Sequence, residues 1–436
     1  MTRPGYVDRS KLQNWADTRS AQSEFPRLVR RLVLETTPGL LELGMPAGEG
    51  VAAGDWDGSI RTTDATAWVP EGLSVWELSV NSSPKTKADE DYVKRAATPD
   101  GTATGDCTYV EVILRPWTAR ASWARKKRGD GVWRDVRALG LDDIETWLEA
   151  APITWAWLSE ELGLSPRGLR TGFTWWRDWA AQTNPALTSK AVLAGRAEVE
   201  DRAATFGSIT TVAGASLEEV CAFVAAVAVN RDEQGKGQML ARLAFVDNVS
   251  TWRQLAASSQ PLVLVPRTPE LVSEIPAGTV HSFCVPVVAE EGANIILPPL
   301  DPSELADALK AAGIADSERA DTLGRLGRRS LTALRRNIAV QAALHRPAWA
   351  DTTPSRNFRS ILLAGSWRDN AAGDRSIIET LTGGDYETFR DSITGIVDNP
   401  TDPLAIRTDG AWHLVSAVDA WMLLVSKLTY DDMQRF

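Results

Sequence analysis

The sequence contains little of the chemistry on which many small catalytic and metal-binding domains depend. Its 436 residues include three cysteines and three histidines. Cys107, Cys221 and Cys284 lie far apart in the chain, which excludes a CxxC zinc module and argues against a disulfide framework. So few histidines leave few candidates for a zinc site or for histidine-based catalysis. We therefore expect any chemistry to depend on carboxylates.

Long apolar runs are also missing. Apolar segments such as residues 262–265 and 295–297 are much shorter than the ~20 residues that cross a bilayer. The first residues of the sequence contain no apolar signal core. From these two observations we expect a cytoplasmic protein.

The composition is that of a globular protein with several domains. Hydrophobic residues make up 44% of the chain and charged residues 24%, which excludes the disordered, collagen-like and mini-protein classes. At roughly 150 residues per domain, the length suggests about three domains. The formal net charge of −10 argues against a protein that coats nucleic acid over its whole surface. A basic run at residues 125–128 is either a local nucleic-acid-binding face or a solvated charge run in a loop.

The first 150 residues predict helix, strand, strand, helix and strand in that order. Apolar residues at three- and four-residue spacing predict an amphipathic helix from Phe25 that closes at Glu35. Short strands are expected at 59–61, 73–80 and 109–114, and a charged helix carries Lys87, Asp91 and Arg95. A final strand and a helix at 133–148, capped by Asp142 or Asp143, would close this domain.

Each of the first two strands is accompanied by an acid. Asp57 stands in Gly-Asp-Trp-Asp-Gly immediately before one strand, and Glu77 lies within the next. An Asp and a Glu on adjacent strands can converge on one divalent cation, while a nearby lysine orients the attacking water. Such a site performs metal-dependent phosphodiester hydrolysis. Asp55 competes for the role of Asp57, which we prefer because it directly precedes Gly58 and the strand.

This arrangement resembles the PD-(D/E)XK restriction-endonuclease superfamily, in particular its Mrr-like branch. The resemblance implies a restriction-endonuclease-like α/β/α core over residues 1–150 that cleaves DNA. It also implies a catalytic group that consists of Glu35, Asp57, Glu77 and Lys87. Within this group, Asp57 and Glu77 are expected to hold Mg²⁺ or Mn²⁺. The family pattern places a lysine two residues after the strand acid, where this chain has Ser79. We expect Lys87 to supply the amine from the following helix; otherwise the site is inactive.

Residues 151–195 are rich in tryptophan and predict a helical connector. Tryptophan side chains can stack on nucleic-acid bases. The alternative, which we favour, is that they are apolar groups that pack one domain against the next.

Residues 196–300 alternate strands with helices, which predicts a parallel sheet. The layout resembles the NTPase module of STAND-type signalling ATPases, with a helical lid at 301–345. The loop at 213–219 lacks the lysine and the second glycine of GxxxxGK[ST], and Glu218 and Glu219 would repel phosphate. We therefore expect a degenerate P-loop-NTPase-like domain, in which Asp247 is a strand-end cap or a surface acid. The lid arginines, which include Arg335, have three possible roles: contact with nucleotide, contact with nucleic-acid phosphate, or solvation of the helix face. We favour solvation of the helix face.

Residues 346–436 predict three helices followed by a hairpin at 403–415, with Asp409-Gly410 as its turn. This pattern resembles a winged helix. The expected recognition helix at 386–396 carries Glu387 and Asp391, and Arg390 is its one basic residue. This composition favours a winged helix that packs on the NTPase-like domain as a relay over one that binds DNA. STAND-like proteins usually continue into a sensor array. A C-terminal sensor region outside this chain, a partner protein and a homo-oligomer all stay open.

The sequence therefore predicts an α/β multidomain protein. Its expected function is that of a metal-dependent nuclease effector that hydrolyses DNA phosphodiesters in bacterial anti-phage defence, regulated by the NTPase-like and winged-helix regions. The alternative is a non-catalytic sensor or assembly protein with a vestigial nuclease fold.

Overall fold

The computed structural model describes residues 5–45, 56–205, 209–233, 237–287, 292–341, 346–347, 349–352, 355–397, 403–408, 410–414, 420–421, 423 and 429–435. The chain is about 52% helical and has parallel strands, which confirms the predicted mixed α/β class. Among the described residues, no helix has the length and apolarity needed to span a bilayer.

The helices are numbered along the chain, and their bounds are α1 (Arg9–Ala16), α2 (Arg19–Thr36), α3 (Pro84–Ala97), α4 (Arg120–Arg128), α5 (Leu141–Ala150), α6 (Pro152–Glu161), α7 (Gly172–Ala180), α8 (Ser189–Leu193), α9 (Ala197–Ala203), α10 (Leu217–Glu233), α11 (Gln238–Arg242), α12 (Val249–Ala256), α13 (Pro269–Val272), α14 (Pro302–Ala312), α15 (Ser317–Arg329), α16 (Leu331–Asn337), α17 (Trp349–Thr352), α18 (Ser355–Ala364), α19 (Ala372–Thr382), α20 (Tyr386–Val397) and α21 (Tyr430–Arg435).

The strands are numbered in the same way, and their bounds are β1 (Leu40–Gly44), β2 (Gly58–Thr62), β3 (Gly72–Ser79), β4 (Cys107–Ile113), β5 (Asp135–Leu139), β6 (Leu169–Thr171), β7 (Ile209–Ala213), β8 (Leu243–Val246), β9 (Val263–Pro266), β10 (Ser282–Val287), β11 (Ile295–Ile296), β12 (Ser366–Trp367), β13 (Ala405–Thr408) and β14 (Ala411–Leu414).

The chain divides into two compact units. Unit 1 comprises Met1–Thr171, Gly237–Val263 and Glu274–His281, and unit 2 comprises Gly172–Lys236, Leu264–Ser273 and Ser282–Phe436. The five-part division expected from the sequence stays a prediction.

Unit 1 contains a five-stranded sheet with the order β1-β2-β3-β4-β5. The pairs β1/β2 and β2/β3 are antiparallel, whereas β3/β4 and β4/β5 are parallel. The sequence predicts β2 to β5 but not β1 or α1. Strand β1 has only five residues and no alternation of buried and exposed positions, so it gives little periodic signal. In the same unit, β6 pairs with β8 in an antiparallel arrangement.

Helices cover both faces of this sheet, which explains the composition of β4. Every residue of β4 is buried, and the strand reads Cys-Thr-Tyr-Val-Glu-Val-Ile. Tyr109 of β4 packs in one apolar cluster with Tyr92 of α3 and Trp123 of α4. On the opposite side Trp76 of β3 lies against Trp147 of α5, with ring centroids 6.4 Å apart. Strands covered on both faces are typically continuous apolar runs, so an acid inside one is unusual.

Two local expectations in unit 1 concern the cap of α5 and the tryptophans of the connector. Asp142 and Asp143 do not cap α5, because Gly140 is its N-cap and both acids lie in the first turn. The Asp143 carboxylate reaches back to accept the Gly140 N–H at 2.8 Å, as the third helical residue does in a capping box. In the connector, Trp155 and Trp157 are buried in unit 1. The expected packing of one domain against the next stays a prediction.

Unit 2 contains strands in the order β11-β7-β10-β9, in which β7 is parallel to both β10 and β11. Helix α10 follows β7 and is buried along most of its length. The predicted lid region is helical, and Asp301 caps α14 by accepting the Ser303 and Glu304 N–H groups at 2.9 Å each.

The last part of unit 2 has helices α18 to α20 and a three-stranded antiparallel sheet with the order β12-β14-β13. The predicted hairpin is present as β13 and β14, and Gly410 between them has a φ of +75°, a conformation that favours glycine. Asp409 and Val415 lie outside the described residues.

Candidate functional site

Three acids lie side by side on adjacent strands of the unit 1 sheet. Gly58 of β2 pairs with Trp76 of β3, so the same register continued by one residue puts Asp57 opposite Glu77. On the other side of β3, Glu77 pairs with Glu111 of β4. Cross-strand neighbours have Cβ atoms about 5 Å apart and share one face of a sheet. We call Asp57, Glu77 and Glu111 the acid row.

Asp57 is anchored to β3 by its own carboxylate. Its Oδ2 accepts the backbone N–H of Leu78 at 2.8 Å, so the side chain reaches the strand one residue from Glu77. Asp57 lies just before β2, as the sequence expected. Asp55, the competing candidate, lies outside the described residues.

One face of helix α3 supplies the charges that meet the acid row. Lys87, Asp91 and Arg95 follow one another at four-residue spacing, which places them on the same side of the helix. Lys87 Nζ donates to Asp91 Oδ1 at 2.6 Å. Asp91 and Arg95 are buried, while about a third of the Lys87 side chain is exposed (32%). The only part of this charged face that reaches solvent appreciably is thus the lysine that we expected to be catalytic.

Arg95 forms a buried ion pair with the central acid. Its Nε donates to Glu77 Oε1, and its Nη1 donates to Asp100 Oδ2 at 2.5 Å. The guanidinium carbon lies 4.4 Å from the centroid of the Trp56 ring. Arginine is suited to this position because its planar fork can bond two carboxylates while stacking on an aromatic ring.

Glu111 is the most enclosed member of the acid row. It is fully buried, and its Oε2 accepts a hydrogen bond from the Tyr109 hydroxyl at 2.6 Å. Its Oε1 is buried without a hydrogen-bond partner among the described residues. Buried polar atoms in native proteins are almost always paired, so this oxygen is an exception that needs an explanation.

The acids perturb one another electrostatically. Burial, followed by the charge of Asp57, raises the pKa of Glu77 from 4.5 to about 7. Burial also raises the pKa of Asp57, although the Leu78 N–H opposes this, and it raises the pKa of Glu111 well above 4.5. Burial alone would lower the pKa of Lys87, but the adjoining acids, with Asp91 foremost, raise it overall. The ammonium group therefore stays charged beside the acid row.

The donor chemistry of the acid row fits a hard divalent cation. Mg²⁺ is commonly bound through one or two carboxylates, with water and phosphate oxygens as its other ligands. Asp57 and Glu77 offer two carboxylates, and the unpartnered Glu111 oxygen lies in the same row. Among the described residues, no group of three or more His, Cys, Asp or Glu has the geometry of a preformed metal site. The side chains would thus rotate to bind a cation.

Glu35 has a different position from the other three predicted catalytic residues. It is fully buried near the end of α2, and its Oε1 and Oε2 accept the backbone N–H groups of Ile153 and Thr154 at 2.9 and 2.7 Å. These N–H groups belong to the first turn of α6, which the carboxylate therefore caps. Arg242 Nε also donates to the Glu35 carbonyl at 3.1 Å. The contacts of Glu35 make it a helix-capping residue, and the sequence assigned it to the catalytic group because of its position alone.

The sequence interpretation missed three members of this cluster. The sequence pattern puts Asp91 and Arg95 on a charged helix without assigning them a role, and it includes Glu111 in a buried strand. Two features of the sequence could have identified these residues. Charged residues recur at four-residue spacing on α3, and a single acid interrupts the apolar strand β4. Ser79, where the family pattern has lysine, ends β3, and its Oγ accepts the Asn81 N–H at 3.1 Å.

In unit 2, the segment expected to form a phosphate-binding loop leads into α10, and a side chain from the first turn of that helix bonds back to the segment. Glu219 Oε2 accepts the Ala215 N–H at 2.9 Å, and Oε1 pairs with the guanidinium of Arg196. Arg196 is almost fully buried and also donates to the Pro298 carbonyl at 3.0 Å. A carboxylate thus takes the backbone and cationic contacts at the start of α10 that an anion would use.

The neighbouring acid is held in a similar way. Glu218 pairs with Arg335 of α16, and it accepts the Trp179 indole N–H at 2.8 Å. The Arg335 guanidinium lies 4.2 Å from the centroid of the Trp179 ring. This lid arginine therefore contacts protein groups, in contrast to the solvated helix face that we favoured from the sequence. Asp247 is exposed, in agreement with a surface acid.

Comparison with known proteins leaves the family open. No protein-family model matches the chain, and no curated protein is significantly similar to it in sequence. Function must therefore be argued from the site itself.

The capping role of Glu35 predicts a specific pH dependence of stability. Burial raises the pKa of Glu35 from 4.5 to about 7, so the folded state binds the Glu35 proton more tightly than the unfolded state does. Between pH 4.5 and 7 the unfolded state loses this proton first, and the unfolding free energy falls by about 3 kcal/mol as pH rises. Urea unfolding at several pH values measures the change. Glu35→Gln should remove this component, and an unchanged pH profile in the variant would contradict the assignment.

The Glu219 contacts predict that unit 2 does not take up nucleotide phosphate. We expect no binding heat when ATP with Mg²⁺ is titrated into the protein, because Glu219 already fills the anion position and adds negative charge. Binding of ATP to the wild-type protein with micromolar affinity would show that this interpretation is wrong.

The buried pair that Arg196 forms with Glu219 also predicts a stability effect. Arg196→Met should lower the free energy of unfolding of unit 2 by about 3 kcal/mol, since it leaves a buried carboxylate without its partner. Hydrogen exchange of the α10 amides measures the loss. Arg253→Met, which breaks the exposed pair with Glu274, is the matched control and should change little. Equal effects of the two substitutions would contradict the prediction.

Proposed function

We propose that unit 1 is a metal-dependent nuclease that hydrolyses DNA phosphodiesters. The observation that carries this proposal is the cross-strand placement of Asp57 beside Glu77, with the Lys87 ammonium acting on both charges. Two carboxylates and a lysine are the groups that such hydrolysis needs. The resemblance to PD-(D/E)XK nucleases supports the same reading of these three residues.

In this proposal each residue has a distinct role. Asp57 and Glu77 hold Mg²⁺ or Mn²⁺, which supplies Lewis acidity and lowers the pKa of bound water. Lys87 keeps its positive charge beside the acid row and is partly exposed, so its ammonium group can meet a phosphate oxygen. Asp91 holds the Lys87 amine in place through their 2.6 Å hydrogen bond. Glu35 stabilises the fold by capping α6 and takes no part in the reaction.

A basic surface on unit 1 supports DNA as the substrate. The run at residues 125–128 forms the last turn of α4, where basic side chains also favour the helix dipole. Arg125 and Lys126 are exposed, whereas Lys127 is tied to Asp89 by a 3.0 Å ion pair. Exposed basic groups of this kind contact phosphates without reading sequence. The surface is therefore suited to positioning a DNA backbone.

The role of unit 2 in this proposal is regulatory. Its parallel strands, helical segment and C-terminal antiparallel sheet support the comparison with a degenerate STAND-type NTPase and a winged helix. A chain that joins a nuclease to such a region fits a bacterial anti-phage effector. This part of the proposal rests on the sequence resemblance and on the filled phosphate position.

A second function is favoured by a specific contact. Arg95 already neutralises Glu77, and Ser79 replaces the lysine of the family pattern. Both features suit a non-catalytic sensor or assembly protein that has kept a nuclease fold. The two proposals differ in whether a divalent cation binds and DNA is cleaved.

Cleavage of plasmid DNA in the presence of Mg²⁺ or Mn²⁺ tests the nuclease proposal. Asp57→Asn and Glu77→Gln should each lower the cleavage rate at least about 100-fold, because losing even groups that only orient metal ligands costs about 10–100-fold. Lys87→Met should lower the rate without weakening Mn²⁺ binding. EDTA should abolish cleavage in the wild type.

The control variants separate catalysis from folding. Lys85→Met removes an exposed lysine of the same helix, paired with Asp89 at 3.3 Å, and should leave the cleavage rate unchanged. Circular dichroism should show that all the variants are folded. Cleavage that persists in Asp57→Asn and Glu77→Gln would refute the assigned site. A complete lack of metal binding and cleavage in the wild type would favour the non-catalytic alternative.

A further inference from the structure

The Glu111 side chain has one oxygen that the fold satisfies and one that it does not. Tyr109 donates to Oε2 at 2.6 Å, and no described residue donates to the buried Oε1. A carboxylate with four lone-pair positions that receives a single hydrogen bond is costly to bury. Such a group is buried either as the neutral acid, which its raised pKa favours, or beside a positive charge that compensates the carboxylate.

The cations of the cluster do not provide this compensation directly. Lys87 is bonded to Asp91, and Arg95 is bonded to Glu77 and Asp100. Among the described residues, neither Asp57 nor Glu111 forms an ion pair, although Lys87 acts on both from a greater distance. Within the described part of the chain, carboxyl groups without an ion pair therefore lie on both sides of Glu77.

The strand register places these two carboxylates symmetrically. Asp57 continues the β2/β3 register opposite Glu77, and Glu111 pairs with Glu77 across β3/β4. Neighbouring strands lie about 4.8 Å apart, so the outer acids of the row are within the reach of flexible side chains around a common centre. A glutamate has three rotatable side-chain bonds, which allows Glu77 and Glu111 to turn their oxygens towards one ion.

We propose that Glu111 contributes its Oε1 oxygen to the divalent-cation site of Asp57 and Glu77, as a third carboxylate ligand. Tyr109 is a positioning residue in this arrangement, because its hydroxyl holds Oε2 and leaves Oε1 available. This inference rests on the proposed function, since it extends the donor set of the same site. Three carboxylates would favour hard cations such as Mn²⁺ and Mg²⁺.

Titration of the metal-free protein with MnCl₂ by isothermal calorimetry tests the inference. Glu111→Gln should weaken Mn²⁺ binding at least about tenfold, and Tyr109→Phe should weaken it by a smaller factor. Glu77→Gln should weaken it at least as much as Glu111→Gln. Glu145→Gln is the control, because it changes a partly exposed glutamate of unit 1 that pairs with Arg9 at 2.7 Å and should leave the Mn²⁺ affinity unchanged.

Thermal unfolding distinguishes a ligand from a residue that is needed only for folding. In EDTA, Glu111→Gln should keep or raise the unfolding midpoint, because a neutral amide costs less to bury than a carboxylate. Excess Mn²⁺ should raise the midpoint of the wild type, as a ligand that binds only the folded state must, and should raise that of the variant much less. A purely structural Glu111 would instead give a lower midpoint in EDTA with the same Mn²⁺ response.

The outcomes separate this inference from the proposed function. Selective loss of Mn²⁺ binding in Glu111→Gln and Tyr109→Phe supports it. Wild-type affinity in Glu111→Gln, together with loss in Glu77→Gln, overturns it and leaves the two-carboxylate site intact. If Glu111→Gln does not fold, unchanged affinity in Tyr109→Phe overturns it. If the wild type itself binds no Mn²⁺, both the inference and the nuclease proposal fail.

Discussion

The interior of unit 1 depends on the burial of negative charge between a central strand and one helix. Asp57, Glu77 and Glu111 lie across three adjacent strands, and α3 brings Lys87 and Arg95 against them. Burying carboxylates is expensive unless they are paired, and the free energy is supplied by the surrounding apolar packing and by these two cations. This cost is the reason to regard the acid row as functional, since an apolar set of similar size would stabilise the fold better.

The sequence predicts the elements that hold the site better than the contacts within it. Strands β2 to β4 and helix α3 follow from apolar periodicity and turn residues, and Asp57 and Glu77 follow from their positions on neighbouring strands. The roles of Arg95 and Glu111 depend on which helix face meets which strand, and on register. Register is a tertiary property, set by packing and loop geometry, so spacing along the chain could not reveal that Glu111 lies beside Glu77. The capping contacts of Glu35 could not be predicted for a similar reason, because the α6 amides that it caps lie more than 100 residues further along the chain.

Both units use an internal charged partner where a ligand-binding protein often keeps a position open. In unit 1, Arg95 covers Glu77, and in unit 2, Glu219 covers the Ala215 amide and Arg196. The two cases differ in what remains. Among the described residues of unit 1, Asp57 and Glu111 form no ion pair, whereas Glu219 and Arg196 of unit 2 pair with each other. The proposed chemistry therefore concerns unit 1, and the Glu219 contacts of unit 2 are satisfied within the protein.

The internal carboxylate of unit 2 has a consequence for how the start of α10 is stabilised. Because Glu219 lies only four residues after Ala215, its effective concentration at that amide is fixed by the chain. The anion at this helix start is therefore supplied by the protein itself, and its occupancy does not depend on the concentration of any dissolved anion.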